Sequence, residues 1–236
     1  MDGVKRAFTV ALIGPDGAGK TTLAQRLQDE LPMRAHYLYM GVNADASNEV
    51  LPTTRLVRAL KRRRGAPPDT GGPPDPAQLT KPKPKGLVPR ARRATRSTLR
   101  LANQLAEEAY RHLVARRHVR RGSIVLFDRH FFADYYAYDV ANGGPKPLSR
   151  RIHGWALQRV YPKPDLVVYL DAPAEVLLDR KGEGTLEALE RRRGDYLALA
   201  DVTANFEVVD ASRPLDAVAA DLVGVISDFS RRVEAR

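Results

Sequence analysis

The chain has 236 residues, no cysteine and a net charge of +11. That length supports one substantial core, and the missing thiols exclude disulfides, thiolate catalysis and cysteine-based metal sites. The five histidines show no H-x-x-x-H spacing and no apolar stretch reaches the length of a membrane span, so neither a zinc site nor a transmembrane anchor is expected, and a cytoplasmic protein is.

The first apolar run, Ala7 to Ile13, reads as a strand buried on both faces. It leads into Gly14-Pro15-Asp16-Gly17-Ala18-Gly19-Lys20-Thr21-Thr22, which satisfies G-x-x-x-x-G-K-[ST] in full. A helical stretch from Thr21 to Leu31 follows. Strand, glycine loop and helix in that order make a phosphate site. Backbone N–H groups curl around a polyphosphate, and the helix N-terminus adds its positive end. Lys20 then reaches the β- and γ-phosphates of ATP, and the Thr21 hydroxyl holds Mg²⁺.

His36 to Met40 reads as a second strand, and Asn43 to Arg64 as a mixed segment that turns helical in its second half. Gly65 to Pro89 is rich in Pro, Gly and Lys and nearly free of apolar side chains. Burial cannot offset its ordering entropy, so a mobile basic insertion is expected at about 65–90. A long helix is predicted over Arg92–Arg121. Leu101, Leu105, Ala109 and Leu113, with Ala102, Ala106, Tyr110 and Val114 beside them, form its apolar stripe, and arginines take the other face. Gly122 ends it. Between Arg55 and Arg121, nineteen Lys and Arg stand against four Asp and Glu. That balance suits either a polyanionic partner or a solvated helix face.

Three more strands, Ser123–Asp128, Asp165–Asp171 and Phe206–Asp210, alternate with helices predicted over Leu148–Val160, Ala174–Arg180, Leu186–Ala200 and Leu215–Arg232. Repeated βα order implies an α/β fold: a five-stranded parallel sheet with helices on both faces, as one domain over 1–236. Ligands then sit at the carboxyl ends of the strands, where Asp128, Asp171 and Asp210 all lie.

Asp128 after four apolar residues has the form of a carboxylate that orders Mg²⁺ or its waters. Arg129 beside it is suited to clamp an acceptor phosphate. Asp171 is either a ligand or the N-cap of the helix after Pro173. Phe131, Phe132, Tyr135, Tyr136 and Tyr138 are the densest aromatic cluster, either a stacking wall for a nucleobase or sugar or ordinary helix–sheet packing, with Phe131 or Phe132 expected in the core and the tyrosines in a pocket. Two glycines, Gly182 and Gly184, separate Arg180 from Arg191, Arg192 and Arg193. They suggest a lid at about 180–194 that swings cations onto a transferring phosphoryl group and excludes water.

The phosphate loop, Asp128-Arg129-His130, Leu170-Asp171-Ala-Pro173 and the arginine-rich lid occur in the order found in thymidylate kinases, and the chain resembles that family outside about 41–90. The resemblance implies that Asp16 contacts the nucleotide sugar and that Arg129 holds the acceptor phosphate. With glycine at Gly17, it implies that the catalytic arginine comes from the lid (Arg180, Arg191 or Arg192). Ala211–Pro214, with Arg213, would border the adenine. Where the family has an Arg-Glu-Pro-Gly segment, this chain reads Tyr39-Met-Gly-Val-Asn43.

The expectation is therefore an ATP- and Mg²⁺-dependent kinase that phosphorylates a nucleoside monophosphate, dTMP by the resemblance. Lys20, Asp16, Asp128, Arg129 and the lid arginines would form the catalytic set. Gly14 to Thr22 and Arg213 would bind ATP, and Thr21 and Asp128 would position the metal. Asp16, Arg129, Phe132, Tyr135 and Tyr136 would place the acceptor. A non-nucleotide small-molecule acceptor is the alternative within enzymes. A nucleotide-gated nucleic-acid binder using residues 55–121 is the rival from another class, and it is disfavoured because no nucleic-acid motif is recognised. A homodimer is left open.

Overall fold

The computed structural model describes residues 6–41, 47, 49–63, 87–136, 148–182 and 184–235. The strands are β1 (Thr9–Ile13), β2 (Ala35–Tyr39), β3 (Ile124–Asp128), β4 (Leu166–Asp171) and β5 (Phe206–Asp210). They form one parallel sheet in the order β2-β3-β1-β4-β5. The described helices are α1 (Lys20–Glu30), α2 (Pro52–Arg63), α3 (Leu87–Arg120), α4 (Phe131–Tyr135), α5 (Leu148–Arg159), α6 (Ala174–Lys181), α7 (Leu186–Leu197) and α8 (Leu215–Glu234), with a short 3₁₀ turn over Ala198–Val202.

Alternation along β1 sets the layers, because successive strand residues point to opposite faces. Val10 and Leu12 enter one core with Leu23 and Leu27 of α1 and Leu222 and Ile226 of α8. Ala11 and Ile13 enter the other with Ala115 of α3, Phe131 and Phe132 of α4 and Leu157 of α5. Both faces are covered, so the strands read as continuous apolar runs rather than alternating ones. This is the three-layer arrangement that the βα order implied.

Local chemistry explains where α1 starts and stops. Gly19 caps it in the left-handed region, and its buried line is Leu23, Ala24 and Leu27. Leu31 breaks it in an extended conformation, as expected of a residue that precedes a proline. Leu27 is fully buried, so Leu27→Ala costs about 2–5 kcal/mol.

Register brings the strand ends level. Asp128 lies opposite both Leu12 and Tyr39, and Asp171 lies opposite Asp210. The loop after β1 therefore emerges at the middle of the sheet, flanked by the ends of β3 and β4.

The long helix departs from its predicted form. It begins at Leu87, so the last three residues of the expected insertion are helical, while 64–86 lie outside the described residues. Its inner line is also not the apolar stripe. Leu113 is 62% exposed, and Ala102, Ala106 and Ala109 are exposed too. Glu107, Glu108, Arg111 and His112 are buried instead, next to Ala115. Nor do the arginines all face outward, since Arg111 is 1% exposed. The reason is partners. The Glu107 carboxylate accepts from the Leu51 N–H at 3.2 Å, Glu108 pairs with His153 of α5 at 2.7 Å, and Arg111 donates to the Gly41 carbonyl at 2.8 Å. Buried polar groups with partners from other elements outweigh the hydrophobicity of the residues left outside.

Candidate active site

Two glycines of the phosphate loop combine a positive φ with a close backbone neighbour. Gly14 has φ +147°, and a Cβ there would lie 2.8 Å from the Leu170 carbonyl oxygen of β4. Gly17 has φ +92°, with a virtual Cβ 3.1 Å from the Leu177 carbonyl of α6. A side chain at Gly17 is strained by the left-handed backbone and meets a tight contact at that carbonyl. Lys20 is 5% exposed, and its ammonium donates to the carbonyls of Gly14 (2.7 Å) and Pro15 (2.6 Å). The loop therefore places one cation over its own rim. Ala18 is buried behind it, and Thr22 is exposed on the first turn of α1.

Asp128 ends β3 with no solvent exposure. Its Oδ2 accepts from the Thr21 hydroxyl at 2.7 Å and from the Tyr37 hydroxyl at 3.0 Å, while Oδ1 has no partner among the described residues. A buried carboxylate oxygen left open next to a threonine hydroxyl is the donor set a hard cation takes. Tyr37 was not singled out from the sequence. It reads as an ordinary strand aromatic, and only the β2–β3 register brings its hydroxyl to Asp128. Burial, and next the charge of Asp128, push its phenol pKa up, so it acts as a donor at neutral pH.

Arg129 follows with φ +67°, the one positive φ outside glycine among the described residues. Such a conformation costs about 1–2 kcal/mol for a residue with a Cβ. It turns the guanidinium back over the sheet, where it donates to Asp16 Oδ1 at 2.7 Å. Lys181 of α6 lies 3.5 Å from the other oxygen of Asp16. Burial tends to raise the Asp16 pKa, but the charges of Arg129, Lys20 and Lys181 outweigh it and hold the carboxyl down to about 2. Asp16 is therefore a fixed anion and a poor proton acceptor.

Behind Arg129 lies a cluster that the sequence did not reveal. A Cβ on Gly41 would come within 2.8 Å of the Arg129 side chain and 2.5 Å of the Tyr39 hydroxyl. Arg111 holds the Gly41 carbonyl and sits 5.5 Å from the centre of the Phe131 ring. One turn away on α3, Glu108 meets His153 and Gln104. His130 is buried and kept neutral by that burial, and its Nδ1 accepts the Phe132 N–H to cap α4. Phe132 is core, as are Phe131 and Ala133. The Phe132 ring packs against Tyr136, 4.7 Å between centroids, with Lys163 over it. Tyr136 and Tyr135 are half-buried, and the Tyr135 ring closes on Gly154 of α5. Tyr138, Val42 and Asn43 lie outside the described residues.

The lid arginines separate into different jobs. Arg180 donates to the carbonyls of Ala211 (2.8 Å) and Ser212 (3.2 Å), which ties α6 to the loop after β5 rather than to the phosphate loop. Arg193 forms a two-point pair with Asp171, at 2.6 and 2.8 Å. Asp171 thus anchors α7; the N-cap of α6 is Pro173, with no side-chain cap. Arg191 is exposed and Arg192 half-buried. Gly182 and Gly184 both have positive φ, and Thr185 caps α7. Arg213 pairs with Asp221 at the base of the β5 loop.

A parallel sheet of this order, with Lys20 and Thr21 at the head of α1 and a buried Asp128 beside them, defines a P-loop phosphotransferase. No family model matches the chain. A probable thymidylate kinase of Staphylothermus marinus is 32% identical over 230 residues, spanning 93% of this chain and 94% of that one. A thymidylate kinase of Thermosipho africanus is 30% identical over 134 residues, 52% of this chain and 62% of its own. A probable thymidylate kinase 1 of Saccharolobus solfataricus is 26% identical over 223 residues, 92% and 95%. The likeness to the Staphylothermus protein runs the length of both chains, and the chain belongs to the thymidylate kinase family. It is an ATP-dependent phosphotransferase. Among the described residues no helix is long and apolar enough to cross a membrane.

Proposed function

We propose that the chain transfers the γ-phosphoryl group of ATP to dTMP, forming dTDP and ADP. An oxygen of the acceptor phosphate bonds to the γ-phosphorus while the bond to the β,γ-bridging oxygen breaks, and ADP leaves with that electron pair. The acceptor oxygen is already an anion, so no general base is needed. The observation that carries the reading is the pairing of Thr21 with a fully buried Asp128 at the end of the phosphate-loop sheet, in a chain whose full-length relatives are named as thymidylate kinases.

In this reading Lys20 moves from the loop carbonyls to the β- and γ-phosphate oxygens. Thr21 and Asp128 would hold Mg²⁺, which neutralises phosphate charge when bound. Among the described residues no group of three or more His, Asp or Glu could hold a metal, in keeping with an ion carried mainly by the nucleotide. Asp16 and Arg129 position the acceptor as an ion pair. Residues 180–194 form the lid, with Lys181, Arg191 and Arg192 as its cations toward the phosphates. The whole of 1–236 is read as one kinase domain, working on the ATP pool of the cytoplasm. A homodimer is supported by heptad-spaced exposed residues of α3, Leu99, Ala102, Ala106, Ala109 and Leu113.

Coupled ADP release with a panel of nucleoside monophosphates and phosphorylated sugars tests the reading. Mg²⁺-dependent turnover with dTMP ahead of the other acceptors is expected. Turnover confined to a non-nucleotide acceptor would sink it.

A further inference from the structure

We propose that a cleft at the amino ends of β1 and β4, the opposite end of the sheet from the phosphate loop, binds a small organic anion with an apolar ring or chain. The cleft lies between the carboxyl-terminal turns of α3 and the segment Pro162–Asp165, and its volume is about 270 Å³. That is close to the lower end of the range for small-molecule pockets, and suits a one- or two-ring molecule.

Its lining divides by chemistry. Ala115, Val119, Phe127 and Pro162 supply an apolar floor, and Arg116, Arg120 and Lys163 supply cations. Neither Arg116 nor Arg120 has an ion-pair partner among the described residues. The one lining carboxylate, Asp165, is committed elsewhere: it accepts from the Thr9 N–H at 2.8 Å and the Thr9 hydroxyl at 2.7 Å. It holds two strand ends together, and the lining still carries three cations against this one anion. His112 also lines the cleft. It is 6% exposed, and its Nε2 has no partner. Its ring stacks on Tyr161, 4.9 Å between centroids, and forms part of the wall.

These features select the ligand class. Inorganic phosphate would satisfy the cations but leave the apolar floor wet. A neutral hydrocarbon would cover the floor and leave the arginines without a counter-charge. A molecule with both parts satisfies both, with its anionic end on Arg116 and Arg120 and its apolar part on the floor. One lining side chain, His112, reaches from the cleft toward the carboxyl end of β3. The His112 ring packs edge-on against His130 at 5.7 Å, and His130 directly follows Arg129.

The test uses the whole protein saturated with Mg²⁺ and a non-hydrolysable ATP analogue, so that the donor site is filled. The probe is 8-anilinonaphthalene-1-sulfonate, an aromatic ring system with one sulfonate. Saturable fluorescence at one site per chain is expected, displaced by phenyl phosphate but not by phenol or inorganic phosphate at equal concentration. The double variant Arg116→Ser, Arg120→Ser changes two exposed side chains and is expected to weaken the probe at least tenfold. Val119→Trp, which fills the cleft and keeps the cations, is expected to weaken it as much. Undiminished binding in either variant, or displacement by inorganic phosphate as effective as by phenyl phosphate, would overturn the proposal. If Val119→Trp fails to fold, the arginine variant and the displacement series still decide it.

Discussion

The two ends of the active site are built from different material. The donor end is local and made largely of backbone: Gly14, Gly17, Gly19 and Lys20 lie within seven residues, and the Lys20 ammonium is held by carbonyls five and six residues back. The end we propose for the acceptor is assembled from side chains far apart in the chain. Arg111 of α3 reaches Gly41 after β2, Arg129 after β3 reaches Asp16 after β1, and His153 of α5 reaches Glu108. A backbone cradle suits any nucleoside triphosphate and tolerates change around it. A cluster of buried charges works only when every member is in place, since removing one leaves another without its partner. Changes at the donor end should therefore cost rate alone, and changes at the acceptor end should cost rate and stability together.

The largest expected loss is at the donor end. Lys20→Ala removes the cation we propose for the transferring group and is expected to lower kcat by about 10³-fold or more, some 4 kcal/mol of transition-state stabilisation. Its melting temperature should stay close to that of the parent protein. Transfer that survives the change would mean the loop is not the donor site.

Next is Arg111→Ala. It removes a fully buried guanidinium and leaves the Gly41 carbonyl and the Phe131 ring face without it. The expected destabilisation is about 3–5 kcal/mol by urea unfolding, with a raised acceptor KM in whatever fraction folds. A loss under 1 kcal/mol would show the acceptor end to be as tolerant as the donor end, and the contrast would fail.

Tyr37→Phe separates the two ends more finely. It deletes one of the two hydrogen bonds on Asp128 Oδ2 and leaves Thr21 in place. A stability loss of about 1 kcal/mol is expected. The apparent Mg²⁺ requirement should rise several-fold while KM for the acceptor is unchanged. A shift in acceptor KM with no change in Mg²⁺ dependence would reassign Tyr37 to the acceptor side.

The smallest effect is a pH dependence. The Asp16 carboxyl is held down to about 2 in the folded protein, below its unfolded value. Its stabilising contribution is complete above the unfolded value near pH 4 and is lost as pH falls toward 2. After discounting for partial exposure it amounts to about 1 kcal/mol. Asp16→Asn should be less stable than the parent at pH 7, and the difference should shrink between pH 4 and pH 2. A difference that stays constant over that window would show that Arg129 and Lys181 do not hold Asp16 as an ion pair.

Much of the donor end was legible in the chain because its instructions are adjacent. The glycine spacing, the strand before it and the helix after it are a continuous stretch, and β5 was read residue for residue. The acceptor end was harder because its signals are single residues within longer patterns. Tyr37 is one aromatic among strand residues, Arg111 one arginine among many, and Lys181 the neighbour of the arginine that attracted attention. The α3 stripe misled for the same reason: periodicity reports which residues share a face, not which face meets a partner.

By itself the sequence determined the βα order, the five-stranded sheet and the phosphate loop. Each depends on contacts within a few turns of chain, and on runs of apolar residues that have nowhere else to go. The tertiary structure decided which charged groups go inside. A buried Glu108 or Arg111 is tolerable only where a group from a distant element meets it, and that meeting is set by how α3 lies against β2, α4 and α5.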